Sequence, residues 1–257
     1  MLVTRVERIE TVAAAADGRL RPCVFDLEAT VEGPVDPASG MVVNLAEMKG
    51  VLRREITAGL AGEVLDGRDG RAAAPTPERL ARLVWDRLHG EVSGRRLRRI
   101  RLIGRPSPTV EHYGESEMDV TRIYEFSASH RLHSPHLADE ENERLFGKCN
   151  NPAGHGHNYV LEVTVRGEPG ADGEVLPAAA LDRIVADRVV DRWDHRNLNV
   201  DVPEFRDVNP TAEEIARTAW NRLRADVESV RDGVRLRRVK LRETERNHVE
   251  YEGEEAQ

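Results

Sequence analysis

The sequence has little of what marks secreted, membrane-spanning or nucleic-acid-binding proteins. Two cysteines in 257 residues cannot build a disulfide scaffold. No apolar run approaches the roughly 20 residues that span a bilayer, and the opening residues, MLVTRVE, lack the apolar core of a secretory signal. Lys and Arg number 38 against 46 Asp and Glu, and the formal charge of −8 disfavours a general nucleic-acid binder. We expect a soluble cytoplasmic protein with no membrane or nucleic-acid partner.

The chain contains an internal repeat, which sets its domain organisation. Val3-Thr-Arg-Val returns as Val120-Thr-Arg-Ile, and Pro75-Thr-Pro-Glu returns as Pro210-Thr-Ala-Glu. The end of the first copy, VEHYGE, returns near the end of the chain as VEYEGE. The repeat predicts two homologous domains, residues 1–115 and 118–257, with an extra segment between the first two strands of the second.

Each copy reads as two strands, two helices and two strands. Apolar residues alternate in the strands and recur every three or four positions in the first helix of each copy. Thr76 and Thr211 stand where the second helix of each copy begins, and Glu214 completes a capping-box pattern with Thr211. The pattern predicts an α+β fold, with an antiparallel sheet covered by two helices in each copy. The first-helix positions are Leu45, Met48, Leu52 and Ile56, and Leu181, Ile184, Val185 and Val189.

Histidines cluster in the second copy. His155 and His157 stand two residues apart before a strand, so both imidazoles project from one face. His130 ends another predicted strand, whereas His133 and His136 are competing candidates for a third ligand. Three imidazoles with an open fourth position are typical of catalytic zinc.

Three other groups in the second copy have both an ordinary and a chemical interpretation. Cys149 is either a small buried side chain or a thiol base. The adjacent Asp194 and His195 are either surface charge or a proton relay. Glu243 is by default a solvated carboxylate at a strand end.

The second copy resembles the 6-pyruvoyl-tetrahydropterin synthase family, whose members have the tunnelling fold, or T-fold. The resemblance runs from about Thr121 to Glu254 and rests on several separated motifs in the same order. They are Phe126-Ser-Ala-Ser-His-Arg-Leu-His-Ser-Pro, Gly147-Lys-Cys-Asn-Asn-Pro-Ala-Gly-His-Gly-His-Asn-Tyr, Asp194-His-Arg-Asn-Leu, Asp201-Val-Pro-Glu-Phe and Tyr251-Glu-Gly-Glu.

The resemblance implies a role for each matching residue. It implies that zinc is bound by three histidines, that a thiol acts as the base, and that an Asp-His pair completes the proton relay. It also implies that a carboxylate binds the amino-pyrimidinone edge of a pterin, and that a helix begins beside the pterin pocket. The metal residues are then His130, His155 and His157; the catalytic ones Cys149, Asp194 and His195; and the substrate-binding ones Glu243, Thr211 and Glu213.

The reaction that the resemblance implies converts 7,8-dihydroneopterin triphosphate to 6-pyruvoyl-tetrahydropterin. Zinc acidifies a C–H bond, the thiolate takes the proton, and triphosphate leaves. Lys148, Arg131 and Arg196 are candidates for binding the triphosphate. The basic run Arg95–Arg101 alternates with apolar residues and is better explained as a strand with an arginine face.

Each copy retains a different part of the family's sequence pattern. The second has Gly173-Glu-Val-Leu-Pro where the family has a Gly-Met-Val-x-Asn-Leu stretch, which the first retains as Gly40-Met-Val-Val-Asn-Leu. The first copy has lost the chemical positions, because Ala13, Arg21, Cys23, Gly67 and Gly104 stand opposite His130, His155, His157, His195 and Glu243. We therefore expect a catalytically silent copy that is kept for assembly, although its pocket could instead bind a regulator.

Two functions compete with the main one. A 6-carboxytetrahydropterin synthase would act on the same substrate in the queuosine pathway, but the five residues between Cys149 and His155 resemble the pyruvoyl-forming type more. A zinc- and pterin-binding protein without turnover would not need a thiol base. Exposed sheet edges and the resemblance predict a homo-oligomer built from T-fold rings.

Overall fold

The computed structural model describes residues 1–14, 20–60, 64–65, 76–104 and 108–254. Within these residues it contains long strands at the start of each sequence copy and shorter ones at the end. The strands are β1 (Leu2–Ala14), β2 (Leu20–Glu32), β3 (Val64–Leu65), β4 (Glu91–Val92), β5 (Arg95–Gly104), β6 (Thr109–His112), β7 (Met118–His130), β8 (His155–Gly167), β9 (Arg196–Asn197), β10 (Arg235–Arg242) and β11 (His248–Tyr251).

The helices follow the repeat, with additions in the second copy. They are α1 (Leu45–Leu52), α2 (Ala58–Leu60), α3 (Pro77–Arg87), α4 (Asp139–Phe146), α5 (Ala178–Val185), α6 (Asp191–Trp193), α7 (Leu198–Asp201) and α8 (Ala212–Val230). A π-helical segment links α1 to α2 at Arg53–Thr57, and another links α5 to α6 at Ala186–Val190. The two copies thus share even a local irregularity of their first helix.

The chain forms two compact units. Unit 1 contains residues 1–121 and 166–176, and unit 2 contains residues 122–165 and 177–257. In unit 1 the hydrogen-bonded strand order is β3-β1-β2-β5-β6, followed by the first residues of β7. In unit 2 the order is β11-β10-β8-β7, with β9 parallel to the end of β7. The expected α+β class, with antiparallel pairing and covering helices, is confirmed.

The core of each unit comes from the alternation in its strands. In unit 1 Leu27 and Ile100 are fully buried, as are Met48 and Ile56 of the first helical segment. In unit 2 the ring of Phe126 stacks on Tyr159 at 5.0 Å, and Trp193 contacts Phe126 edge-on at 5.8 Å. Burial of such side chains stabilises each by about 1.5–3 kcal/mol.

A tryptophan on the second helix makes the same contact in each copy. The Trp85 ring meets His112 edge-on at 5.1 Å, and Trp220 meets Tyr251 in the same way at 5.6 Å. Gly114 lies against Trp85 at a φ of +83°, and Gly253 lies against Trp220 at +87°. The repeat is therefore a repeat of packing as well as of sequence.

Two local predictions are wrong in detail. Leu45 is 48% exposed, because the buried stripe of the first helix starts only at Met48. The capping box at α8 is incomplete: the Thr211 hydroxyl accepts the Glu214 N–H at 3.4 Å, but the Glu214 carboxylate binds Arg217. Gly67 lies outside the described residues, and so do the side chains of Ala13 and Arg21.

The arginines of β5 bind carboxylates of neighbouring strands. Arg99 lies 3.1 Å from the Glu111 carboxylate, and Arg101 lies 3.5 Å from Glu28. These ion pairs account for two arginines of the basic run without a nucleic-acid ligand. No helix in the described part of the chain is both long and apolar enough to cross a membrane.

A turn that precedes α5 packs within unit 1 against the start of α3. The Thr76 hydroxyl donates to the Gly173 carbonyl at 2.6 Å, and the Val175 N–H donates to the Glu78 carboxylate at 3.3 Å. Gly173 has a φ of +86°, and a Cβ there would lie 2.1 Å from the Arg79 Nε. Glu78 is only 3% exposed, and burial raises its pKa to about 7.

The pKa of Glu78 predicts a pH-dependent stability. Because the pKa is raised on folding, the contribution of Glu78 to the free energy of unfolding is most favourable below a pH of about 4.5 and declines as the pH rises to about 7. Between pH 5 and 7 the wild type should lose about 2 kcal/mol that Glu78→Gln keeps. Denaturant unfolding of both proteins at the two pH values measures this difference, and parallel pH profiles would contradict it.

Candidate active site with a histidine cluster

Three histidines converge where β7 ends and β8 begins. His130 is the last residue of β7, and His155 and His157 are the first and third residues of β8, which starts at His155 rather than after the pair. One ring nitrogen of each lies within 4.8 Å of the others, so the three could hold a metal ion. His133 instead contacts Asn150, and His136 is exposed.

The hydrogen bonds of the cluster leave ring nitrogens for a ligand. Nδ1 of His130 lies 2.7 Å from the Pro210 carbonyl, which fixes the proton on Nδ1 and turns Nε2 towards His155. Nε2 of His157 is buried and has no hydrogen-bond partner among the described residues. A metal cation would satisfy these nitrogens, so the donor set fits one.

Burial favours the metal-binding form of two histidines of the cluster. It lowers the pKa of His130 to about 4, with the neighbouring histidines adding to the effect, although the bond to the Pro210 carbonyl opposes it. Burial also lowers the pKa of His157, against the attraction of the Glu243 carboxylate. Neutral imidazoles are the metal-binding form.

A carboxylate and a phenol border the cluster. Oε1 of Glu243 lies 3.6 Å from Nε2 of His130 and 3.8 Å from Nε2 of His157. The Tyr159 hydroxyl is buried without a hydrogen-bond partner among the described residues. Burial raises the pKa of Tyr159, and Glu243 and Cys149 raise it further. A neutral donor and a carboxylate thus lie beside the histidines.

Cys149 lies in the 3-10 turn Gly147–Asn150 and is partly exposed as a free thiol. Its carbonyl accepts the Leu132 N–H at 2.9 Å. Arg131 donates from Nε to the Asn150 carbonyl at 3.0 Å and from a terminal nitrogen to the Asn150 amide oxygen at 2.9 Å. Arg131 therefore holds the cysteine turn against the end of β7.

Asp194 and His195 form a pair at the edge of β7. The Ser127 N–H donates to one Asp194 oxygen at 2.8 Å and lowers the pKa of Asp194; the other oxygen lies 2.8 Å from Nδ1 of His195. His195 has a φ of +55°, unusual outside glycine, and its side chain is 83% exposed. Within the described residues, neither side chain hydrogen-bonds to Cys149.

The remaining predicted residues lie in different places. Thr211 follows Pro210 and caps α8, which brings this helix start next to His130. Glu213 is exposed, as are Lys148 and Arg196. A groove of about 400 Å³ brings His157 and His195 to one surface of unit 2; its other lining residues are Ser127, Ala128, Ser129, Gly156, Asn158, Arg196 and Asn197.

Sequence reasoning missed three contributors to this site. The Pro210 carbonyl orients His130, Asn150 binds Arg131, and the buried Tyr159 hydroxyl lies beside the cluster. Every residue has a backbone carbonyl, so the sequence does not indicate which carbonyl will bind His130. The position of Tyr159 two residues after His157, on the same face of β8, could have identified it.

Comparison with known proteins identifies the family. The model of the 6-pyruvoyl tetrahydropterin synthase family matches residues 23–115 and 119–254. The chain belongs to this family, and the two matched segments agree with tandem copies.

Named relatives are about half as long as this chain. The Homo sapiens 6-pyruvoyl tetrahydrobiopterin synthase is 48% identical over 139 residues, 54% of this chain and 93% of that protein. An Archaeoglobus fulgidus protein described as "Putative 6-carboxy-5,6,7,8-tetrahydropterin synthase" is 31% identical over 131 residues, 51% of this chain and 92% of that protein. The solved Caenorhabditis elegans 6-pyruvoyl tetrahydropterin synthase is 40% identical, with a TM-score of 0.49, and covers 54% of this chain and 96% of that one. The expectation of an enzyme of the pterin-synthase type, a lyase, is confirmed.

The geometry predicts which histidines determine metal affinity. His155→Ala should weaken Zn²⁺ binding by more than the roughly 10–100-fold that loss of an outer-shell partner costs. His136→Ala, in an exposed histidine outside the cluster, is the matched control and should bind as the wild type does. Competition with a chromophoric chelator measures both, and equal losses in the two variants would contradict the assignment.

Proposed function

We propose that this chain catalyses the zinc-dependent conversion of 7,8-dihydroneopterin triphosphate to 6-pyruvoyl-tetrahydropterin with elimination of triphosphate. The observation that carries the proposal is the convergence of His130, His155 and His157 beside the Glu243 carboxylate. A metal-binding cluster of histidines is by itself compatible with many reactions. A carboxylate next to it suits a ligand whose amino-pyrimidinone edge donates two hydrogen bonds, as a pterin does.

In this proposal His130, His155 and His157 hold zinc, which acts as a Lewis acid when bound. Glu243 anchors the pterin, and Thr211 and Glu213 border the pocket from the start of α8. Tyr159, whose pKa is raised by burial, has a hydroxyl without a hydrogen-bond partner among the described residues and can donate a hydrogen bond to the substrate. Arg131 is already bound to Asn150, so Lys148 and Arg196 are better candidates for the triphosphate.

Proton transfer is assigned to Cys149, Asp194 and His195. Cys149 accepts the proton as a thiolate. Asp194 is fixed by the Ser127 N–H and holds Nδ1 of His195, so Nε2 of the imidazole is the nitrogen free to exchange a proton. Because the His195 side chain is 83% exposed, we infer that it serves a zinc site in a different copy or chain.

We further propose that residues 1–115 form a silent domain kept for assembly, that residues 118–257 form the catalytic domain, and that the chains assemble into T-fold rings. Among the positions that the structure describes, Cys23 and Gly104 stand where the second copy has His157 and Glu243. A cysteine and a glycine cannot supply the imidazole and carboxylate of the site. The cytoplasm is the proposed location.

One other product is supported by a specific observation. The relative described as a 6-carboxy-5,6,7,8-tetrahydropterin synthase is 31% identical, so a 6-carboxy product from the same substrate is the second candidate. The five-residue spacing of Cys149 and His155 favours the pyruvoyl product. A pterin-binding protein without turnover is the third.

Product analysis tests the proposal. Zinc-loaded protein incubated with fresh 7,8-dihydroneopterin triphosphate should yield 6-pyruvoyl-tetrahydropterin and free triphosphate by mass spectrometry. Glu243→Gln keeps the size of the side chain but removes its charge, and it should lower kcat/KM with zinc content unchanged. A 6-carboxy product would overturn the main assignment in favour of the second, and unchanged substrate would leave only the binding protein.

Mixing variants tests whether sites are shared between chains. His155→Ala and His195→Ala proteins should each be inactive, and their equimolar mixture, after dissociation and reassembly, should recover roughly a quarter of wild-type activity by random pairing. Recovery requires the zinc ligands of one chain and the His195 of another. A mixture as inactive as its components would show that each site uses a single chain.

A further inference from the structure

His133 is a candidate metal ligand in the sequence, but the structure gives its ring a different partner. Nδ1 of His133 lies 3.1 Å from the amide oxygen of Asn150. A terminal nitrogen of Arg131 lies 3.3 Å from the same Nδ1, which is farther than the amide oxygen. Because an amide oxygen only accepts hydrogen bonds, the shorter contact places a proton on Nδ1 of His133.

Asn150, the acceptor of this bond, follows Cys149 directly in the 3-10 turn Gly147–Asn150. Besides Nδ1 of His133, its amide oxygen has Nε of Arg131 at 3.1 Å and a terminal nitrogen of Arg131 at 2.9 Å. Nε of Arg131 also donates to the Asn150 carbonyl at 3.0 Å. Both the side chain and the backbone of the residue after Cys149 are therefore held.

The segment that carries Arg131 and His133 is itself fixed by two asparagines of unit 2. The Asn199 amide accepts the Arg131 N–H at 2.8 Å and donates to the Arg131 carbonyl at 3.0 Å. The Asn209 amide oxygen accepts the His133 N–H at 3.1 Å. The ring of His133 thus projects from a backbone that is hydrogen-bonded on both sides of Leu132.

Leu132 makes the direct bond from this segment to the cysteine. Its N–H donates to the Cys149 carbonyl at 2.9 Å. The Cys149 side chain is partly exposed, so packing alone does not fix it. Its place depends on hydrogen bonds, one to its own carbonyl and the others to Asn150.

We propose that His133 is a positioning residue for Cys149, and that it acts by holding Asn150. His130 ends β7 three residues before His133, so the same segment carries a candidate zinc ligand and the contact that holds the thiol turn. The segment therefore fixes the distance between them, on which proton transfer at a metal-bound substrate depends. The role of Cys149 as the base rests on the proposed function, whereas the contact of His133 with Asn150 does not.

Amide hydrogen exchange tests the positioning without any reaction. His133→Leu removes the donor, and the Leu132 N–H, which reports the bond to the Cys149 carbonyl, should exchange about tenfold faster or more in zinc-loaded protein. The Arg131 N–H, which binds Asn199, should keep its rate. Mass spectrometry with fragmentation to single residues measures both.

Two further variants control this experiment. His133→Asn places a side-chain N–H the same number of bonds from the backbone as Nδ1 and should recover most of the protection at Leu132. His136→Leu, at an exposed histidine of the same loop, should exchange as the wild type does. Unchanged exchange in His133→Leu, or equally fast exchange in His133→Asn, would overturn the proposal.

Steady-state kinetics separate positioning from a general structural role. His133→Leu should lower kcat about tenfold or more with KM and zinc affinity unchanged, because the base is displaced and the pterin pocket is not. His133→Asn should recover most of this loss. Asn150→Leu removes the shared acceptor, so the double variant should lose no more than Asn150→Leu alone. Additive losses, or a zinc affinity that falls with kcat, would overturn the proposal.

The two proposals fail in different ways. A wild-type protein without turnover would remove the proposed function, and the exchange rate of the Leu132 N–H would still decide the role of His133. An active wild type whose Leu132 N–H exchanges no faster in His133→Leu would remove the role of His133 alone.

Discussion

The alternation of side chains along β7 and β8 is the constraint on which the candidate site depends. One face of these strands carries Phe126, Tyr159 and the histidines, so the same period that fills the core of unit 2 also brings imidazoles together at its end. A shift of one residue in either strand would move the histidines to the opposite face. Core packing and site geometry are therefore one requirement, and the stacked rings of Phe126 and Tyr159 hold the register.

Burial then shifts the pKa values of side chains in the candidate site. Burial lowers the pKa of His130 and of His157, because the charged imidazole is poorly solvated there, and the Pro210 carbonyl decides which nitrogen of His130 carries the proton. The same burial keeps Tyr159 a hydrogen-bond donor. Asp194 and His195 differ, because they lie at an exposed edge where backbone hydrogen bonds, rather than packing, set their orientation.

The two copies differ in what covers the start of their second helix. The first copy buries Glu78 under a turn that precedes α5, whereas the second leaves Glu213 open. Burial of a carboxylate costs free energy unless hydrogen bonds compensate it, and the Val175 N–H of that turn supplies one of the hydrogen bonds to Glu78. Inside unit 1 the turn is part of the same chain, so the contact is always made.

The sequence by itself determined the repeat, the strand and helix order and the α+β class, and it predicted the histidines as candidate metal ligands, because these depend on local period and on residue type. It left His133 and His136 as rival ligands, and it did not indicate the Pro210 carbonyl, the Arg131–Asn150 contact or the exposure of Leu45. Only the tertiary structure decided these, since each depends on which distant backbone atoms and side chains come to lie beside a residue. Spacing along the chain carries no information about such neighbours.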